Sequence, residues 1–236
     1  TMGSRSLQQG GVAVHEAAIG LVEKAKHVAA RLLEADVADV QLDVSSGTFH
    51  VAGAPAVAKS WADLGAAADA GELTEEHLFQ AGMPTYPFGS HVAVVEVDTE
   101  TGHVKHLRHV ACDDAGTMVN PMLLAGQVHG GVAQGVAQAL YEEVRYDDDG
   151  NPITSNLADY TMISMDLLPQ VERIPMETAT FVNPLGAKGI GESGTIGSTP
   201  AVHSAVLDAL RHLGVRHIDM PCTPEKVWRA IASPSN

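Results

Sequence analysis

The chain has 236 residues, 45% hydrophobic but only 4% aromatic, so Ala, Val, Leu and Ile must fill its core. With 14 basic against 29 acidic residues, its formal charge is −15. That excludes a sequence-independent DNA or RNA binder, which needs a basic face. Two cysteines, Cys112 and Cys222, form no CxxC pair. They imply no disulfide framework and no iron–sulfur cluster held by this chain alone, and they suit a cytoplasmic protein.

The length allows one large domain or two small ones. The opening "TMGSRS" does not read as a natural start, so a fragment or processed chain is expected. Residues 10–35 predict one amphipathic helix, with Val14, Ala18, Leu21, Val22, Ala25, Val28, Ala29 and Leu32 near a 3.6-residue period. "VQLDV" and "TFHV" around "SSG" predict a hairpin, and a short helix follows from Trp61 to Ala68. Residues 71–89 read as a loop. "HVAVVEVDTETGHVKHLRHVACDDA" predicts two strands around the turn "DTETG". Residues 121–143 read as a helix, "VRYDDDGNPI" as a turn between short strands, and "METATFV" as a strand. Thr199 and Pro200 then read as the start of a helix ended by Gly214, and a last helix spans about 224–231. The fold class is α+β, with mixed sheets and packed helices. The expected division is residues 1–70, a helix-plus-hairpin lobe, and 71–236, a ligand-binding lobe.

The densest chemistry lies in "NPLGAKGIGESGTIGSTPAV", residues 183–202. Five of the twelve residues from Gly186 to Gly197 are glycine, and Glu192 is the only acid between Glu177 and Asp208. Glycine permits close backbone approach and positive φ, and a free-amide loop leading into a helix favours anions. A carboxylate held there can act as a general base. The bland alternative is an exposed Glu in a glycine-rich turn. The order is not that of a P-loop. In "NPMLLAGQVHGGVAQGVAQ", Gly126, Gly130, Gly131 and Gly135 suggest close packing. Gln127 presents an amide able to donate to and accept from a heterocycle. "GSRS" before the first helix could hold a phosphate through Ser4, Arg5 and Ser6, or could simply cap that helix.

"GSRS", "DDAGTMVNPMLLAGQVHGGVAQGVAQALYEE" and "NPLGAKGIGESGTIGSTPAVHSAVLDAL" together resemble the molybdopterin-binding large subunit of the xanthine dehydrogenase/aldehyde oxidase family, in particular bacterial carbon monoxide dehydrogenase-like large subunits. The resemblance runs through the whole sequence in the family's order. It implies a molybdenum–molybdopterin cofactor, in bacteria commonly the cytosine dinucleotide. It also implies oxidation of a small molecule: a heterocycle, an aldehyde or carbon monoxide. Glu192 matches the family's general base. Lys188, Gly189, Ile190 and Gly191 match the loop against the cofactor, and Gln127 matches the glutamine that bonds the pterin. Gly3, Ser4, Arg5 and Ser6 match a segment lining the pterin and its phosphates. Partner chains carrying [2Fe–2S] clusters and FAD are implied, with the remainder of a longer large subunit. The family's substrate-entry half and the copper-binding cysteine loop of carbon monoxide dehydrogenases correspond to sequence upstream of "TMGSRS". Neither Cys112 nor Cys222 matches that cysteine, and "SGT" after Glu192 resembles the general hydroxylases. The non-catalytic alternative is a structural or assembly module of a larger complex.

Other polar clusters read more plainly. Strand alternation puts His106 on the face opposite His103 and His109, so the three do not converge on one metal. Ile19 replaces the second histidine that "VHEAAI" would need for a zincin motif. Asp113 and Asp114 read as a strand-end turn, and "DDDG" at 147–150 as a solvated one.

Overall fold

The computed structural model describes residues 2–233, so the expected boundaries at residues 1 and 236 lie outside the described residues. Two compact units emerge, one formed by residues 9–81 and the other by residues 2–8 together with 82–233.

A π-helical turn, Ser6–Gly11, begins in the residues assigned to the second unit and continues in the first as α1, Val12–Leu33. Only the later part of the apolar stripe predicted from the sequence is buried: Ala25, Val28 and Ala29 are fully enclosed, whereas Val14 and Ala18 at its start are exposed. Glu34, in the left-handed region at φ 52°, ends the helix. β1 (Val40–Asp43), β2 (Thr48–Val51) and β3 (Ala54–Ser60) form an antiparallel sheet in that order. β3 is an addition to the predicted hairpin. Its "APAVAKS" is largely exposed and lacks the alternation that marks a half-buried strand. α2, Trp61–Ala67, starts with a reciprocal cap between Ser60 and Asp63. Phe49 is buried under it, edge-on to Trp61 at 4.9 Å between centroids.

The second unit is built on β4 (Gly89–Val97), β5 (Val104–Asp114) and β6 (Val171–Met176), in the order β4-β5-β6. β4 and β5 are antiparallel around the predicted turn, while β6 runs parallel to β5. The third strand is therefore "VERIPM", upstream of the expected "METATFV". Pro175 is tolerated because β6 is an edge strand. "VRYDDDGNPI" forms a turn with a single bridge, Tyr146 to Pro152, rather than paired strands.

α3 (Pro121–Leu140), α4 (Ser193–Leu210) and α5 (Pro224–Ala232) complete this unit. α3 and α5 begin as Asn-Pro and Thr-Pro, each cap side chain accepting an amide two residues beyond the proline. α4 does not follow that rule. It starts at Glu192, whose carbonyl accepts the Ile196 N–H, so Pro200 lies inside the helix and not at its start. The Thr199 hydroxyl donates back to the Thr195 carbonyl instead of capping. Packing overrides the local signal: Gly131 and Gly135 of α3 meet Gly194 and Ser198 of α4 with no room for a Cβ. Thr195 Oγ1 donates to Gly131 O at 3.0 Å, and Thr199 Oγ1 lies 3.4 Å from Gly135 O. Val132, Val136, Val202, Val206, Leu210 and Val227 are buried in the same core. Among the described residues no helix is long and apolar enough to cross a membrane.

Candidate functional site

The glycine stretch is half loop, half helix, and the loop is anchored from behind. Asn183 is buried; its Nδ2 donates to Ala187 O at 2.8 Å and its Oδ1 accepts the Ala187 N–H. This closes a turn in which Gly186 takes φ 66°. The Lys188 N–H donates to Ala115 O at 2.8 Å. Its side chain is buried, with Nζ 3.1 Å from Asp114 Oδ1 and 4.6 Å from the centre of the Phe88 ring. Burial alone would raise the Asp114 carboxyl, but hydrogen bonds from Thr178, the Gly116 amide and Lys188 hold it below its ordinary range. The Lys188 ammonium is thus engaged inside the fold, away from the exposed end of the loop.

From Gly189 onward the chain comes forward. Gly189 is buried, and a Cβ there would lie 2.7 Å from Ser4 Cβ and 2.8 Å from Gln8 Nε2, so only glycine fits. Ile190 packs on the core. Gly191 and Glu192 are exposed. Ser4 Oγ donates to Glu192 Oε2 at 2.8 Å. The other oxygen, Oε1, makes no hydrogen bond among the described residues. Gln127, exposed on the first turns of α3, completes the group. A Cβ on Gly191 would sit 3.3 Å from Ser4 Oγ and 3.7 Å from Gln127 Oε1. Glu192, Ser4, Gly189, Gly191 and Gln127, expected from the sequence, therefore meet at one place. Gly3, Arg5 and Ser6 flank it as exposed residues; Gly3 and Ser4 have φ of 64° and 51°.

The later glycines act by closeness alone. Gly194 faces α3, and a Cβ on Gly197 would reach within 2.6 Å of the His91 ring. Gly126 and Gly130 border open space, whereas Gly131 and Gly135 are helix-contact glycines.

Behind α4 lies a second polar cluster, one the strand reading misjudged. His106 does not face away from His109; both are buried, and His103 is exposed. The cause is a β-bulge. Val94 pairs with Arg108 but Val95 with His106, so the extra residue re-phases the strand. His106 Nε2 lies 3.3 Å from His109 Nδ1, His109 Nε2 lies 3.2 Å from His91 Nδ1, and His91 Nε2 meets Asp113. If Asp113 accepts from His91, each ring donates through Nε2 to the next, in one direction. Burial, then repulsion from His106 and His91, pushes the His109 pKa down to about 4; burial also lowers that of His106. Among the described residues no group of three or more His, Cys, Asp or Glu side chains is arranged to hold a metal ion.

Sequence reasoning missed Gln8 and Thr85. Gln8 is buried, donates through Nε2 to Ser4 O at 3.1 Å and accepts from the Thr85 hydroxyl. No local pattern marks them, since Thr85 is 77 residues from Gln8 and 104 from the loop glycine it touches.

Residues 1–169 match the molybdopterin cofactor-binding domain family. The chain belongs to that family. The carbon monoxide dehydrogenase large chain of Hydrogenophaga pseudoflava is 37% identical over 98% of this chain and 29% of its own length. The nicotine 6-hydroxylase large subunit of Paenarthrobacter nicotinovorans is 36% identical over the same shares. A crystal structure of a Cu,Mo-CO dehydrogenase superposes with a TM-score of 0.85 at 33% identity, covering all of this chain and 31% of that one. This chain thus spans about three-tenths of the length of these relatives.

The site fits the family's cofactor. The absent Cβ of Gly191 leaves its backbone open between a rim of polar groups: the half-buried Ser4 hydroxyl, the exposed Gln127 carboxamide and the exposed Glu192 carboxylate beside it. Such a rim offers donors and acceptors to the edge of a flat heterocycle while letting it approach the backbone.

Proposed function

We propose that this chain contributes the glycine-loop wall of a molybdenum–pterin site in the large subunit of a molybdenum hydroxylase or dehydrogenase. Its substrate is a small molecule: a heterocycle, an aldehyde or carbon monoxide. The cofactor, as the cytosine dinucleotide, supplies the redox centre that takes the electron pair the substrate loses. Gln127 binds the pterin edge through its amide. The backbone of Gly189, Ile190 and Gly191 lies along the cofactor face, with Lys188 bracing that loop from behind against Asp114. Gly3, Ser4, Arg5 and Ser6 border the pterin and its phosphates, Arg5 supplying the positive charge. Glu192 is the general base. Ser4 holds its Oε2, which leaves Oε1 to take the proton during substrate hydroxylation. The carboxylate stands at the N-terminus of α4, next to the loop glycines.

The observation that most supports this reading is the meeting of Ser4, Gln127 and Glu192 around Gly191. Partner chains carrying [2Fe–2S] clusters and FAD accept the electrons, in keeping with relatives named as large chains and large subunits. A cytoplasmic location agrees with two free thiols, Cys112 and the buried Cys222, whose pKa burial pushes up to about 11.

The test uses the full-length large subunit in its complex. One molybdenum per large subunit by mass spectrometry is expected. Glu192→Gln is expected to keep that metal and lose about 10³-fold in turnover. Wild-type turnover in this variant would remove Glu192 from the role of base. A folded complex without molybdenum would favour the structural-module reading.

A further inference from the structure

We propose that Ser4 is the positioning residue for Glu192, and that a part-buried chain of hydrogen bonds through Gln8 and Thr85, closed by the contact of Gly189 on Ser4, holds Ser4 in that role. The proposal rests on the reading of Glu192 as base. Ser4 has φ 51°, in the left-handed region that a non-glycine residue keeps only where its surroundings impose it. Three neighbours impose it here. The Ser4 carbonyl accepts from Gln8 Nε2 at 3.1 Å. Gln8 Oε1 accepts from the Thr85 hydroxyl, whose oxygen in turn lies 3.4 Å from the Gly189 N–H. Gly189 presses on Ser4 so closely that a Cβ there would collide with it.

The ring fixes its own polarity. Flipping the Gln8 amide would set Oε1 against the Ser4 carbonyl, acceptor against acceptor, and its NH2 against a hydroxyl that already receives an N–H. With the backbone of Ser4 held, its hydroxyl has one charged acceptor in reach, Glu192 Oε2 at 2.8 Å. A charge-assisted bond to one oxygen selects a single rotamer of the carboxylate and presents the other oxygen outward.

Two variants separate hydroxyl from backbone in the full-length complex. Ser4→Ala removes the hydroxyl and keeps the Cβ; Ser4→Gly removes the hydroxyl and relieves the positive φ. Both are expected to lower kcat between about tenfold and a hundredfold with KM and molybdenum content unchanged. In cofactor-free protein, Thr85→Val and Gln8→Glu are expected to speed amide hydrogen exchange in peptides spanning residues 2–8 and 186–192 only. Wild-type kcat in either Ser4 variant would overturn the assignment. So would unchanged exchange in both ring variants. Retained turnover in Glu192→Gln would instead strike the underlying reading, so the two failures are distinct.

Discussion

Two places along α4, its N-terminus and the turn at Gly197, handle polar groups in opposite ways. At its N-terminus Glu192, Ser4 and Gln127 are at the surface and partly unpaired, with one carboxylate oxygen and one carboxamide free of hydrogen bonds among the described residues. One and a half turns on, beneath Gly197, His91, His109, His106 and Asp113 bond to one another in a buried line that leaves only His106 Nδ1 without a partner among the described residues. Leftover bonding capacity at the surface is what a ligand can use. Capacity turned inward serves the fold, and ties it to protonation state.

The sharpest way to break this contrast is to add one methyl at Gly197. Gly197→Ala drives a Cβ into the His91 ring and is expected to destabilise the protein by about 2 kcal/mol, even after the roughly 1 kcal/mol by which alanine favours a helix. Urea unfolding measures it; a change under about 0.5 kcal/mol would mean that the ring is not held there.

Acid acts on the same cluster. The folded His109 pKa is depressed to about 4, so the folded state keeps the ring neutral while the unfolded chain protonates near 6.5. The contribution is complete above pH 6.5 and is lost as pH falls toward 4, with about 1 kcal/mol gone by pH 5.5. His106, lowered in the same direction, adds to the loss. Stability that stays flat from pH 7 to 5.5 would contradict this account.

The smallest expected effect on folding is at the surface end. Gln127→Ala is expected to change unfolding free energy by less than about 0.5 kcal/mol while lowering molybdenum occupancy of the full complex. Should both quantities stay at wild-type values, Gln127 has no part in the site.

Where local chemistry and tertiary packing agreed, the sequence was enough. α1, α3 and α5 were legible from periodicity and caps, and β4 with β5 from alternation around "DTETG". Glu192 and Gln127 stood out because a lone acid and a lone amide sat among glycines. The failures share one cause: contacts made far along the chain. Gly194, Gly197 and Pro200 all weaken a helix locally, yet the partner surfaces of α3 and His91 stabilise one through them. β6 gains its identity from pairing with β5, and His106 takes its side of the sheet from an extra residue opposite β4. Gln8 is polar in a polar stretch, and only folding reveals that it is enclosed.

The threonine contacts between α3 and α4 set more than packing. Thr195, donating to Gly131, and Thr199, lying against Gly135 while it donates to Thr195, repeat at a spacing of four on both helices, over glycines that admit no side chain. Two helices so matched cannot creep past each other. A slip of one residue breaks both rungs, and the next equivalent alignment lies about 6 Å away, four residues along. Gln127 rides on one helix and Glu192 on the end of the other. The width of the mouth between them is therefore set in steps far coarser than a hydrogen bond tolerates, and the pair behaves as a fixed calliper rather than an adjustable one.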